Sequence, residues 1–184
     1  MIETERLILR RWREDDLAPY AAMMADPDVT YWLGGGQSFD EARAHIDLLD
    51  LGFERLGFGI LAIERKDDGA FVGSAGLFPV GENIPFAPAV EVGWRLARSA
   101  WGNGYATEAA HALIEDGFTR AGLAEIVSFT AETNVRSQAV MRRLGMRRDP
   151  IRDFEHPKLA VDHPLRPHVV YAMSAPGARR AAAC

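Results

Sequence analysis

Gly102 and Gly104, in the stretch WGNGYATEA, directly precede a run whose apolar residues recur at helical spacing, so bare backbone stands where a helix should begin. The first turn of a helix carries N–H groups without partners, and the peptide dipoles there favour negative charge. Two glycines let the chain turn tightly and let a ligand approach without meeting a Cβ. These types and spacings suit a phosphate or pyrophosphate group. The alternative is a pair of glycines that only turn a strand into a helix. A nucleotide P-loop would end in Gly-Lys-Ser/Thr, and no lysine is near. A dinucleotide fingerprint would need a third glycine where Thr107 stands, and would sit among repeated strand-helix-strand units. Basic residues gather at Arg95 and Arg98 before the loop, and at Arg142, Arg143, Arg147 and Arg148 after it. Such groups can hold a small polyanion, or can be ordinary solvated faces.

Around these residues the sequence predicts a frame. Residues 6–12 (RLILRRW) alternate as a strand, and Asp15-Asp16 offers a cap for a helix over 17–25, which Asp26-Pro27-Asp28 ends. After Gly34-Gly35-Gly36, Ser38 and Glu41 fit a capping box at the head of a helix reaching about residue 56. Residues 58–65 and 71–80 are two β-rich runs around Asp68-Gly69, a hairpin signal, and 89–96 is a third, giving an antiparallel meander. The helix after the glycine loop buries one face through Ala106, Ala109, Ala110, Leu113, Ile114, Gly117 and Phe118, and Gly122 stops it. Residues 125–132 then form a strand, so strand, helix and strand imply a right-handed crossover and a parallel pair. Asn134 caps a further helix that stops at Gly145, and residues 146–157 and 167–174 read as two final strands around a Pro-rich and His-rich loop.

Composition narrows the class. The 184 residues, 48% hydrophobic and 26% charged, fit one compact domain over 1–176, with 177–184 a disordered tail. Apolar runs are too short to span a membrane, and MIETERL carries acids where a secretory signal would be basic, so a cytoplasmic protein is expected. The formal charge of -5 argues against nucleic-acid binding. The single cysteine, Cys184, makes no internal disulfide and no zinc cluster, and reads as inert. His156, His163 and His168 are spaced by seven and five without a ligand motif, so no metal is expected. His156 and His168 instead border an acceptor pocket or belong to the core, as do Trp32, Phe78 and Phe86.

EVGWRLARSAWGNGYATEA followed by NVRSQAVMRRLGM resembles the acyl-CoA binding half of the GNAT acetyltransferases, most of all the branch of the ribosomal-protein N-terminal acetyltransferases. TERLILRRWREDD and HVVYAMS resemble the same branch, so the likeness covers nearly the whole chain. It implies an α/β fold with a mixed, mostly antiparallel sheet of six or seven strands, about four helices and one parallel pair splayed around the acyl-CoA. The family's pyrophosphate loop falls on Trp101, Gly102, Asn103, Gly104, Tyr105 and Ala106, with Thr107 following. Trp101 departs from the usual Gln or Arg. The resemblance further implies that Asn134 bonds the pantetheine arm, that Ser137 lies close to the cofactor, and that Arg142 and Arg143 reach its 3′-phosphate.

The activity implied is acetyl transfer from acetyl-CoA to a primary amine, by direct attack within a ternary complex. The acceptor is a protein N-terminus or a small amine such as a polyamine. At pH 7 about one tenth of an α-amine is neutral but under about one thousandth of a lysine, so a base helps. Glu91 is the candidate, being on the strand before the loop, with a structural carboxylate as its alternative. Amides near Val92 and Gly93 would face the thioester carbonyl. Met141 stands where many relatives carry a proton-donating tyrosine, which leaves Ser137 as the nearest hydroxyl, or solvent. That departure keeps a second class open, a catalytically idle acyl-CoA-binding module. Glu108, in the first turn of its helix, reads as structural. Monomer and homodimer both remain open.

Overall fold

The computed structural model describes residues 1–177; Cys184 and nearly all of the expected tail lie outside the described residues. In chain order the elements are β1 (Ile2–Glu3), β2 (Leu7–Arg10), α1 (Leu17–Ala25), α2 (Pro27–Thr30), α3 (Phe39–Leu56), β3 (Ile60–Arg65), β4 (Phe71–Pro79) and β5 (Val90–Leu96). There follow α4 (Tyr105–Thr119), β6 (Glu125–Ala131), α5 (Val135–Arg143), β7 (Arg147–Arg148), β8 (Phe154–Glu155) and β9 (Pro167–Ser174). The strands form one sheet in the order β1-β2-β3-β4-β5-β6-β9-β7, with β8 also on β9. Every pair is antiparallel except β5 and β6, joined by the α4 crossover. This is the expected mixed sheet, enlarged to nine strands because β1, β7 and β8 contribute two residues each. A fifth helix, α2, is added where Asp26 Oδ1 accepts the Asp28 N–H at 2.9 Å and Pro27 takes the first helical position.

Alternation along the strands sorts the side chains to two faces. Leu61, Ile63, Val92, Leu96 and Ile126 meet α4 and α5 through Ala109, Leu113, Ile114 and Met141. On the opposite face Ala62 packs beneath Trp12, Tyr20, Met24 and Ala42 of the α1–α3 segment. At the other end of that face Val127, Val170 and Ala172 pack with Val80, Ile84 and Phe154. Between these two clusters the same face of β5 presents Glu91, Gly93 and Arg95.

Local signals hold where they rest on neighbouring residues. Ser38 Oγ accepts the Glu41 N–H at 3.3 Å while Glu41 Oε2 accepts the Ser38 N–H at 2.7 Å. Gly69 turns the β3–β4 hairpin at φ 70°. Two expectations are corrected. Residues 146–157 do not form one strand: Pro150, which lacks an N–H, opens a 3-10 turn over Pro150–Arg152 that separates β7 from β8. Asp16 is not a side-chain cap for α1. It turns inward, 3% exposed, and takes a bidentate bond from Arg10 at 2.6 and 2.8 Å, while Glu64 accepts from Arg10 Nε at 2.6 Å. Turning Asp16 out to the helix end would leave the buried Arg10 guanidinium short of a carboxylate.

That network fastens β2 to β3 and to the segment leading into α1. Asp16→Asn would leave the Arg10 guanidinium, 6% exposed, with one carboxylate in place of two. The expected loss is about 3 kcal/mol, read as a lower urea midpoint with unchanged slope. An unshifted midpoint would mean that the network contributes nothing to stability.

Candidate active site

The glycine loop is built as a sharp exit from β5. After Leu96 comes a 3-10 turn over Arg98–Ala100, and then Gly102 and Gly104 at φ 82° and 81°, left-handed values that side-chain-bearing residues avoid. A Cβ at Gly102 would meet nothing within 4 Å, so the loop faces open space. Asn103 turns its amide onto its own loop, donating to the Ala100 and Trp101 carbonyls at 3.2 Å each. The first backbone bond at the head of α4 is Glu108 N–H to Gly104 O, which leaves the N–H groups of Tyr105, Ala106 and Thr107 without a partner among the described residues. The Tyr105 ring is buried beneath the Arg6 guanidinium, 4.9 Å from its centroid. Glu108 is structural: it accepts from Thr4 Oγ1 at 2.6 Å and from Arg6 N at 2.8 Å, tying the head of α4 to the start of the chain.

Trp101 donates its indole N–H to Leu96 O at 2.9 Å and carries two guanidinium groups on its ring, Arg98 at 4.7 Å and Arg136 at 5.1 Å. Arg98 is paired with Asp28 at 3.1 Å, so it is Arg136 that brings beside Trp101 the charge which that residue lacks, through cation–π contact. Arg136 was not among the expected site residues. Its place two residues after Asn134 gives no hint that it reaches a ring 35 positions earlier in the chain.

β5 and β6 share a single pair of register partners, Glu91 with Val127. Beyond it the strands part. Successive residues of β5 direct their N–H groups alternately to β4 and away from it, so one of Val92 and Gly93 points into the gap. Val92 itself is fully buried in the α4 core, while a Cβ on Gly93 would press on the Phe78 ring at 3.0 Å and touch Glu91 Oε1 at 4.0 Å. Phe78 and Glu91 therefore flank Gly93 across the register of β4 and β5.

Glu91 keeps part of its surface exposed, yet protein surrounds its carboxyl closely enough that desolvation pushes its pKa up to about 8. The Arg95 charge and an N–H from Phe129 oppose that rise without cancelling it. A carboxyl so placed has the proton affinity of a general base near neutral pH.

At the opposite lip Asn134 caps α5, its Oδ1 accepting the Ser137 N–H at 3.2 Å while its Nδ2 donates to Thr130 Oγ1 at 3.0 Å. Ser137 lies in the first turn of α5, half-buried, and Met141 is sealed in the core one turn further on. Arg142 donates to the Tyr171 hydroxyl at 3.2 Å, whereas Arg143 is exposed and has no ion pair among the described residues. Of the aromatic candidates, Phe86 is tied into the cluster on the β6 side, packing edge-on against Phe129 at 5.8 Å and Phe154 at 5.5 Å. His156 joins the same cluster through His168, ring to ring at 4.8 Å, and burial lowers the pKa of both. Trp32 lies apart, beyond α2, edge-on to Tyr31 at 4.8 Å. Among the described residues no three His, Cys, Asp or Glu side chains gather as a metal site would need, and no helix is long and apolar enough to cross a membrane.

Known proteins share this arrangement. Residues 6–147 match the family described as Acetyltransferase (GNAT) domain. The uncharacterized N-acetyltransferase p20 of Bacillus licheniformis is 30% identical over 159 residues, covering 84% of this chain and 87% of that protein. An acetyltransferase from Agrobacterium tumefaciens str. C58 superposes with a TM-score of 0.75 at 29% identity, covering 94% of this chain and 92% of the other. RimL, a ribosomal L7/L12 α-N-protein acetyltransferase solved in complex with coenzyme A, superposes with a TM-score of 0.76 at 18% identity, covering 94% of this chain and 96% of the other. With a parallel pair that parts after one register position, a glycine loop at the head of α4 and a family match over most of its length, the chain belongs to the GNAT acetyltransferase family, an acyltransferase dependent on acetyl-CoA.

Proposed function

We propose that this protein acetylates a primary amine, with the acceptor entering on the face of the sheet that carries Glu91 and the acetyl donor held in the gap between β5 and β6. The observation that carries this reading is the parting of the two strands after Glu91, directly before a helix N-terminus with three unpartnered N–H groups. A pyrophosphate fits that N-terminus by charge and by the lack of any Cβ on Gly102 and Gly104. Tyr105, Ala106 and Thr107 would contribute backbone N–H donors there, and Arg136, which has no ion pair among the described residues, would add positive charge beside Trp101. Asn134 keeps one amide hydrogen beyond its bond to Thr130, available to an amide of the pantetheine arm. Arg142 and Arg143, in the last turn of α5, are the candidates for the 3′-phosphate.

Acetyl-CoA supplies the activated acyl group as a thioester. Glu91 holds the incoming amine and takes its proton, directly or through water. The N–H of Val92 or Gly93 that points into the gap is the donor toward the carbonyl oxygen. The proton for sulfur comes from Ser137 or from solvent, since Met141 has none to give. RimL is named as an acetyltransferase of a ribosomal protein N-terminus, which supports an N-terminal α-amine as one class of acceptor.

Calorimetric titration with acetyl-CoA, with NADH as control, tests the cofactor half of this reading. Saturable binding of acetyl-CoA alone is expected, followed by amine-dependent thiol release. Absence of binding by folded protein would mean that the glycines only turn the chain. Binding without turnover of any amine would leave an idle acyl-CoA-binding module.

A further inference from the structure

Six arginines among the described residues form no ion pair: Arg55, Arg95, Arg136, Arg142, Arg143 and Arg147. Five are exposed, and Arg95 alone is partly buried. A guanidinium withdrawn from water without a counter-charge is unfavourable, and such groups are normally paired. Arg95 stands opposite Ser74 in the β4–β5 register, on the face covered at one side by α1 and α3.

The groups near it do not balance its charge. The Tyr20 hydroxyl, 2.7 Å from His45 Nδ1, is held neutral because burial raises its pKa above the ordinary phenol value, so although Arg95 acts on it by charge and hydrogen bonding it supplies no counter-charge. His45 is neutral at pH 7, since burial, and next the Arg95 charge, push its pKa below 6.5. Glu91 lies four residues away along the same face, roughly 13 Å between Cα atoms at the usual strand rise. It is mostly protonated at pH 7, and the pair falls outside salt-bridge distance. Between the two stands Gly93, whose missing side chain leaves the room that the Phe78 ring takes up.

We infer that Arg95 is an anion subsite of the acceptor pocket, so that the amine acetylated here also carries a carboxylate or a phosphate. This rests on the transferase reading above. The amine lies toward Glu91, the anion lies toward Arg95, and the Phe78 ring over Gly93 is the floor beneath the atoms that join them. A polyamine, positive at both ends, would set a second cation against the guanidinium and is disfavoured.

The test measures acetyl-CoA-dependent thiol release with matched amines: O-phosphoethanolamine against ethanolamine, the dipeptide amide Ser-Asp against Ser-Asn, and spermidine. The anionic member of a pair should exceed its neutral partner in kcat/KM by at least about tenfold, and which pair responds distinguishes phosphate from peptide carboxylate. Arg95→Gln should level the pairs, while Arg95→Lys, which keeps the charge without the fork, should retain part of the preference. Thermal melts establish that both variants fold, and the KM for acetyl-CoA should not move. Transfer without charge preference, a preference that survives Arg95→Gln, or spermidine as the best acceptor would overturn the proposal and leave the transferase reading intact. If no amine is acetylated, calorimetry with O-phosphoethanolamine and coenzyme A decides. Arg95-dependent binding keeps the subsite and removes the transferase reading; no such binding removes both.

Discussion

Glu91→Gln is expected to lower kcat/KM for the amine by about 10² to 10⁴, to leave acetyl-CoA binding nearly unchanged, and to make the protein more stable in alkaline solution. The last effect follows from proton linkage. The Glu91 carboxyl has a pKa of about 8 in the folded protein against an ordinary value of 4.5. Below the ordinary value both folded and unfolded chains keep the proton, and the group contributes nothing to pH dependence. Between the two values the unfolded chain has lost the proton while the folded one retains it, so stability falls as pH rises. Above about 8 the full destabilisation is present, on the order of a few kcal/mol. Glutamine fills the same space without titrating. The variant should therefore melt with the wild type near pH 4 and increasingly above it toward pH 8. Equal melting differences at both pH values would mean that burial does not hold the proton on Glu91, and unchanged turnover would remove Glu91 from the chemistry. In wild type the kcat/KM profile should climb with the ionisation of Glu91 toward pH 8, and that limb should be missing in the variant.

Gly104→Val is expected to weaken acetyl-CoA binding by at least about tenfold, a free-energy change of about 1.4 kcal/mol. Gly104 adopts φ 81° at the head of α4, and a Cβ there would also meet Arg6 Nη2 at 3.5 Å. The left-handed conformation is unfavourable for a side-chain-bearing residue by about 1–2 kcal/mol, and more for a β-branched one. The loop would relax to another shape, and the N–H groups of residues 105–107 would no longer converge on one anion. Calorimetry separates the two substitutions: Glu91→Gln should bind acetyl-CoA with little turnover, whereas Gly104→Val should lose affinity first. Wild-type affinity in Gly104→Val would mean that the pyrophosphate is held elsewhere. The desolvated Glu91 is a departure from the most stable fold, as groups at functional sites commonly are.

Much of the frame was legible because its signals are local. The capping box of Ser38 and Glu41, the hairpin turn at Gly69, the buried face of α4 and the glycines at 102 and 104 each depend on residues a few positions apart, and chain order implied the parallel pair of β5 and β6. Where a local signal competed with a distant charge, it lost. Asp16 read as a cap and became the partner of Arg10, because the guanidinium is buried and would be short of a carboxylate if Asp16 turned to the helix end.

The sequence by itself determined the fold, the glycine loop at the head of α4 and the position of Glu91, the carboxylate we propose as base. Only the tertiary structure decided the chemical character of those residues. The Glu91 carboxyl has its pKa pushed up to about 8 because burial withdraws it from water, against the opposing pull of Arg95 and of the Phe129 N–H. Arg136 becomes part of the loop because it rests on Trp101. Arg95 stands out only when every other half-buried arginine is seen to have its carboxylate. Desolvation and charge pairing act through space between residues far apart in the chain, and spacing along a sequence carries no record of them.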